Sequence, residues 1–359
     1  MELVFKYSQL WDFTRAVFEK MGCPLPDAQL ATEVLLQADL RGIDSHGIAR
    51  LSGYYRLYKA GRINPAPQVR IVHETPSTAT VDGDSGLGLV VAPRAMQIAI
   101  DKAAAVGSGW VSVKNSNHFG IAGYHAMMAL QKDMIGWAMT NASALVTPTF
   151  GRERMLGTNP ICVAIPAGRQ PAFVADFATT TAANGKLEIL QRKHAETPLG
   201  WVQDAAGNPS TDANILKKGG ALLPLGGDRE HGSHKGYALG SIVDILSAVL
   251  SGASYGPWAP PFPAYVPMPQ DMPGQGLGHF LGAMRIDGFR PAAEFKAHMD
   301  RWIERFKTST PAHPSQPVLV PGDPERDMEA QRRVAGIPLV EAVVHDLQSL
   351  ATELGLPGL

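Results

Sequence analysis

His46, Arg50 and Tyr54 stand four residues apart in RGIDSHGIARLSGYY, residues 41–55. On a helix that spacing makes one polar row. An imidazole moves protons near neutral pH, a guanidinium grips a carboxylate with two parallel hydrogen bonds, and a phenol orients either partner. Such a row suits a small hydroxy or keto acid. It also describes a solvated helix face, so other segments have to decide. VKNSNHFGIAGYH carries Lys114, Asn115, Ser116 and His118 at a strand end, with Gly120 and Gly123 opening the next helix. A strand feeding a helix through small residues leaves backbone amides available to an anion or a cofactor.

Two further stretches fit a cofactor. GGDREHGSHKGYALG sets Lys235 where a glycine-rich loop meets a helix start, so amides, helix dipole and ammonium favour a phosphate there. In DFATTTAANGK, Asp176 follows a strand and either takes a ribose hydroxyl or caps the next helix. Other chemistries find less support. His231 and His234 lack a partner at metal-ligand spacing such as H-E-x-x-H, and Ser45 and Ser143 lack a G-x-S-x-G setting. GDSGLGLVVA has the wrong glycine spacing for a Rossmann fingerprint and reads better as a tight turn.

The totals narrow the class. A chain of 359 residues, 45% apolar and 18% charged, buries a large core and divides into two or three domains. With 32 basic and 33 acidic side chains the net charge is -1, which gives no field to draw nucleic acid or an anionic membrane. Only Cys23 and Cys162 are present, so a reducing cytoplasm is expected rather than a disulfide framework. No basic leader with a long apolar run and no uninterrupted stretch of about eighteen apolar residues occurs, so neither secretion nor a membrane span is expected.

Periodicity supplies the elements that must position these residues. Helices are expected over 7–22, over 26–40 and along the polar row to Gly61. The period then turns to two in VRIVHE and TATVDGD, followed by a helix over 92–107, the strand WVSVKNS, a helix over 120–132 and the strand IGWAMTN. ICVAIPA and PAFVADFA are expected as buried strands, with a helix over 181–195 and a hairpin around Asp204, Gly207 and Asn208. Residues 235–251 are apolar nearly all round and predict a central helix. The seven prolines of 253–276 suggest an ordered loop at a pocket mouth or a subunit contact. GHFLGAMRID follows as a strand, then helices over 291–307, 324–334 and 338–354.

Taken together, DSHGIARL, NHFGIAGYH, GTNPICVAIP, DFATT, HKGYALG and VPGDPE resemble, in order and spacing, the second malate/L-lactate dehydrogenase family. That family also contains sulfolactate and ureidoglycolate dehydrogenases and reductases of keto and imino acids. The resemblance implies an α+β fold: a mainly helical domain built from both chain ends (1–72 and 310–359) and a mixed-sheet, non-Rossmann domain (73–309) binding NAD or NADP, usually in a homodimer. It implies proton transfer by His46 or His118, with Arg50 and Tyr54 binding the substrate. Cofactor contacts are implied at His118, Phe119, Gly120, Ile121, Ala122, Ser143, Asp176, Phe177, Ala178, Lys235, Gly236, Pro321, Gly322 and Asp323; no metal site is implied. The implied reaction moves hydride between nicotinamide and C2 of a small 2-hydroxy or 2-keto acid. One departure stands out: imino-acid reductases of the family pair the catalytic histidine with an aspartate, and Lys186 occupies that position here. The partner of His46 is left open, with Asp44 near in sequence. The rival readings are a keto- or imino-acid reductase and, from another class, a metal-dependent hydrolase or lyase using His46, His118, His231 and His234.

Overall fold

The computed structural model describes residues 2–192 and 194–359. Strand β1 (Glu2–Phe5) leads into α1 (Tyr7–Lys20), which buries Leu10, Phe13, Val17 and Phe18 along one face. Helix α2 (Leu25–Leu40) starts at Pro24, with a second proline in its first turn where a missing N–H costs nothing. These faces meet Leu51, Tyr54 and Leu57 of α3 (Leu51–Lys59). Each fully buried large side chain contributes about 1.5–3 kcal/mol.

The sheet begins with β2 (Arg70–Glu74) and β3 (Thr78–Gly86), and α4 (Gly88–Val106) carries the chain over to β4 (Ser108–Ser116). The short α5 (Ala122–Met127) and a 3-10 turn (Met128–Lys132) occupy the stretch expected as one helix. Strands β5 (Met134–Thr140), β6 (Ile161–Ile165) and β7 (Phe173–Phe177) follow, then α6 (Asn184–Arg192). A small three-stranded sheet comprises β8 (Val202–Gln203), β9 (Pro209–Ser210) and β10 (Ala221–Leu222), with the expected turn between β8 and β9. Helix α7 (Ser233–Asp244), β11 (Leu277–Arg285), α8 (Ala292–Lys307), α9 (Asp323–Ala335), β12 (Ile337–Val340) and α10 (Glu341–Leu354) complete the fold.

The large sheet has the order β2-β3-β4-β11-β5-β6-β7. Only β3 and β4 run parallel, as their helical crossover requires; the other pairs are antiparallel, so the class is α+β. Helices α4 and α5 cover one face, against Val111, Val113, Ala138 and Leu281. Helix α10 packs with the N-terminal helices, and β12 pairs with β1, so the two chain ends share one core. Among the described residues no helix is long and apolar enough to cross a membrane.

Several expectations change. His46, Arg50 and Tyr54 do not share a helix: Asp44–His46 and Ile48–Arg50 are separate 3-10 turns before α3. Gly47 breaks the run because it lies against Asp39, where a Cβ would come within 2.2 Å of the carboxylate, and Asp39 also accepts the Ile48 N–H at 2.7 Å. The apolar helix at 235–251 is not central. Helix α7 and its π-turn continuation (Ile245–Val249) lie over the open sheet face with Ile242, Ile245, Val249 and Leu250 48–58% exposed. Strand β7 is a sheet edge rather than fully buried. Residues 338–340 pair with β1 as strand instead of starting the last helix, because β1, absent from the sequence-based expectations, offers a partner.

Candidate active site

The C-terminal part of the chain fixes the first 3-10 turn. Arg332 on α9 pairs with the Asp44 carboxylate, one contact being 3.2 Å, and donates to the Asp39 carbonyl. Asp44 is therefore engaged away from His46. The imidazole is held instead by its neighbour: Ser45 Oγ lies 2.9 Å from His46 Nδ1. The carbonyl of the same Ser45 accepts from Arg50 Nε at 2.6 Å, and Arg50 Nη2 stands 3.6 Å from Glu188 on α6. One serine thus anchors both the imidazole and the guanidinium.

His118 reaches the same place from the end of β4. Its ring stacks on His46 with centroids 5.6 Å apart and planes 23° apart. Its Nδ1 lies 2.6 Å from the hydroxyl of Tyr54, which is fully buried on α3. Tyr54, implied as a substrate-binding residue, spends its phenol on His118. Burial, reinforced by the Arg50 charge, depresses the His46 pKa to about 4. His118 is pushed well below the usual imidazole range by burial, by the repulsion that charging it beside His46 would bring, and by the Arg50 charge. Both rings are consequently neutral at pH 7, the state a proton acceptor needs.

His46 opens on a cavity of about 370 Å³ lined also by Gly120, Ile121 and Ala122 and by Asp176, Phe177 and Ala178. Six implied cofactor residues are thereby brought together beside the imidazole. Asp176 accepts the Gly123 N–H at 2.7 Å, and burial outweighs that bond to raise its pKa to about 6. Besides His118, which stacks on His46, the remaining implied contacts do not line this cavity. Phe119 is buried, stacked on His279 at 4.8 Å, and Ser143 Oγ accepts the Phe262 N–H at 2.9 Å. Lys235 is exposed in the first turn of α7, and Gly236 packs against Leu225. Pro321 accepts from the Val174 N–H, two residues before Asp176, and Gly322 precedes α9. The Asp323 carboxylate is taken by Lys307 and Arg326.

Beyond the Lys186 position, sequence reasoning missed the part played by α6. Gly185 packs directly on Ser45, Glu188 faces Arg50, and Lys186 lines the cavity with its ammonium 5.8 Å from the Trp201 ring centre. Nothing local in the sequence joins residues 184–192 to residue 45. His231 pairs with Asp228 at 2.6 Å, and among the described residues no group of three or more His, Cys, Asp or Glu is placed to hold a metal ion. Gly86 and Gly88 do flank a strand-to-helix junction, but Gly88 sits against the backbone of Asn117 and His118, so its missing side chain serves packing within the chain.

Known proteins share this fold. The family model described as malate/L-lactate dehydrogenase matches residues 5–348. A malate dehydrogenase of Pyrococcus horikoshii is 42% identical over 98% of this chain and 95% of its own length. An L-sulfolactate dehydrogenase of Methanocaldococcus jannaschii is 38% identical over 95% and 94%. The solved structure of malate dehydrogenase from Pyrococcus horikoshii superimposes with a TM-score of 0.90 at 38% identity, covering 100% of this chain and 97% of that one. With a family match across nearly its whole length and a shared fold, the chain belongs to the malate/L-lactate dehydrogenase family, oxidoreductases acting on the CH–OH group of hydroxy acids.

Proposed function

We propose that the protein interconverts a malate- or lactate-like 2-hydroxy acid and its 2-keto acid with NAD or NADP, using His46 for the proton and Arg50 for the carboxylate. The observation that carries this reading is the double anchorage of His46 and Arg50 on Ser45, at the rim of a cavity lined by residues 120–122 and 176–178. A 2-hydroxy acid has its carboxylate one bond from the reacting carbon, so its two recognition groups must be adjacent. They are.

The cavity fits the nicotinamide end of such a cofactor: Ile121, Ala122, Phe177 and Ala178 offer apolar walls for a ring, and Asp176 and Thr158 a polar rim for its amide. Lys235 and Gly236 remain the proposed phosphate contacts. When bound, the cofactor supplies the hydride acceptor. Arg50 orients the carboxylate with the guanidinium edge left free by Ser45, and neutral His46 takes the hydroxyl proton. The helical parts 1–72 and 310–359 hold the proton-transfer side, and 73–309 the cofactor side. The exposed strip of Ile242, Ile245, Val249 and Leu250 is the kind of face a second copy buries, which supports a homodimer. Two buried free thiols, Cys23 and Cys162, suit a reducing cytoplasm.

The test is a panel of 2-hydroxy acids and cyclic imino acids with both cofactors, followed by nicotinamide absorbance. Turnover of malate- or lactate-like acids supports the reading. Turnover confined to imino acids would transfer the protein to the reductase branch, which the Lys186 position disfavours.

A further inference from the structure

We propose that Tyr54 and the backbone amide of Gly120 hold His118 in the tautomer with its proton on Nε2, so that His118 donates a hydrogen bond to the substrate oxygen and His46 is the sole proton acceptor of the pair. The role at the substrate rests on the hydroxy-acid reading above; the tautomer itself does not.

Two groups converge on His118 Nδ1: Tyr54 Oη at 2.6 Å and Gly120 N at 3.3 Å. A backbone N–H can only donate, so Nδ1 must present its lone pair to it. The phenol then donates as well. Its other acceptor, the His118 carbonyl oxygen, lies farther off at 3.5 Å. A neutral imidazole carries one N–H, which these two donors confine to Nε2. A doubly protonated ring would set a hydrogen against the Gly120 N–H, and burial beside the Arg50 charge already disfavours it.

Apart from that distant carbonyl, the phenol is surrounded by aromatic rings. Tyr54 is fully buried, edge-on to Phe18 at 6.4 Å and to Phe262 at 5.4 Å, and Phe262 also stands 5.1 Å from the His118 ring. Phe262 is seated on Gly53, where a Cβ would come within 2.6 Å of its ring. Burial raises the Tyr54 pKa, so the hydroxyl keeps the hydrogen it donates. His46 differs at the corresponding atom. Its Nδ1 faces the Ser45 hydroxyl, which accepts as readily as it donates, so the imidazole can carry its hydrogen on Nδ1 and keep the Nε2 lone pair.

The division of labour follows. During oxidation the substrate O–H proton passes to Nε2 of His46; a bound oxidised nicotinamide would take the C2 hydrogen with its electron pair, leaving the carbonyl. The Nε2 hydrogen of His118 stays in place and supports the oxygen throughout. Tyr54 is a positioning residue, acting through His118.

Histidine-labelled full-length protein gives the direct readout by two-bond proton–nitrogen correlation, with the His118 signals assigned by their loss in His118→Gln. An Nε2–H pattern is expected in the parent, and mixed tautomers in Tyr54→Phe. A glutamine side chain at 118 can donate at a similar distance but has no basic nitrogen. His118→Gln should therefore keep kcat within about 10-fold of the parent, while His118→Leu, which removes a donor, loses about 10²- to 10³-fold. An Nδ1–H pattern in the parent, or a glutamine variant as slow as the leucine variant, overturns the proposal. Should the 118 variants fail to fold, the signals that shift in Tyr54→Phe, whose phenol bonds only His118, assign His118 and the parent spectrum still decides it. A parent that turns over no hydroxy acid sinks the functional reading instead, and the spectrum then decides the tautomer alone.

Discussion

Replacing Gly185 by alanine asks whether α6 sets the position of the proton acceptor. A Cβ there would lie 2.3 Å from Ser45 Cβ and 3.2 Å from its Oγ. Carbon atoms rest at about 3.5–4.0 Å, so Ser45 must retreat by more than about 1 Å or α6 must lift away. Ser45 holds His46 Nδ1 at 2.9 Å and Arg50 Nε at 2.6 Å, so its retreat moves both groups that meet the substrate. A displacement of about 1 Å costs up to about 10²-fold in rate, which places the expected fall in kcat at about 10- to 100-fold. Stability should change less. Overpacking costs about 1–3 kcal/mol, and alanine in place of glycine returns about 1 kcal/mol of helix propensity. The assay is steady-state kcat and KM on the best 2-hydroxy acid at saturating cofactor, beside a thermal unfolding curve. A kcat within about threefold of the parent would refute the claim that this contact tunes the site.

Three other outcomes are expected. His46→Ala should lose about 10²- to 10⁴-fold in kcat with cofactor affinity little changed, as measured by fluorescence titration of reduced nicotinamide. Arg50→Lys should chiefly raise the substrate KM, since a point charge replaces a planar fork already aligned by Ser45 and facing Glu188; an unchanged KM would show that the carboxylate binds elsewhere. A base must be unprotonated to act, and the His46 pKa is lowered to about 4, so the acid limb of kcat/KM for oxidation should fall well below the ordinary imidazole value of about 6.5. A limb centred near pH 6.5 would contradict the buried, Arg50-flanked environment.

Much of the architecture was legible because burial imposes a period. The faces of α1 and α2, the alternation of β3 and β4, and the strand at 277–285 all follow from apolar spacing. The 235–251 helix misled for the same reason. Its apolar residues cover the sheet on one side and form an exposed strip on the other, and composition alone does not distinguish a core from an unpaired face. The polar row failed locally: four-residue spacing suggested a helix, but Gly47 and Asp39 pin the chain into two turns. His46, Arg50 and His118 were visible as residue types in suggestive settings. The contacts that orient them were not, because Ser45 with Gly185, Tyr54 with His118, and Asp44 with Arg332 join residues 64 to 288 positions apart, or in the first case a loop to a helix far along the chain. Such contacts leave no local pattern.

A crystal structure of the chain with oxidised cofactor and an unreactive 2-keto acid analogue tests the central claim most directly. The expected complex has the analogue's carboxylate on Arg50, its C2 oxygen about 2.6–3.2 Å from Nε2 of His46, and the nicotinamide between residues 120–122 and 176–178. An analogue bound with His46 beyond hydrogen-bond reach, or with its carboxylate on another cation, would contradict it.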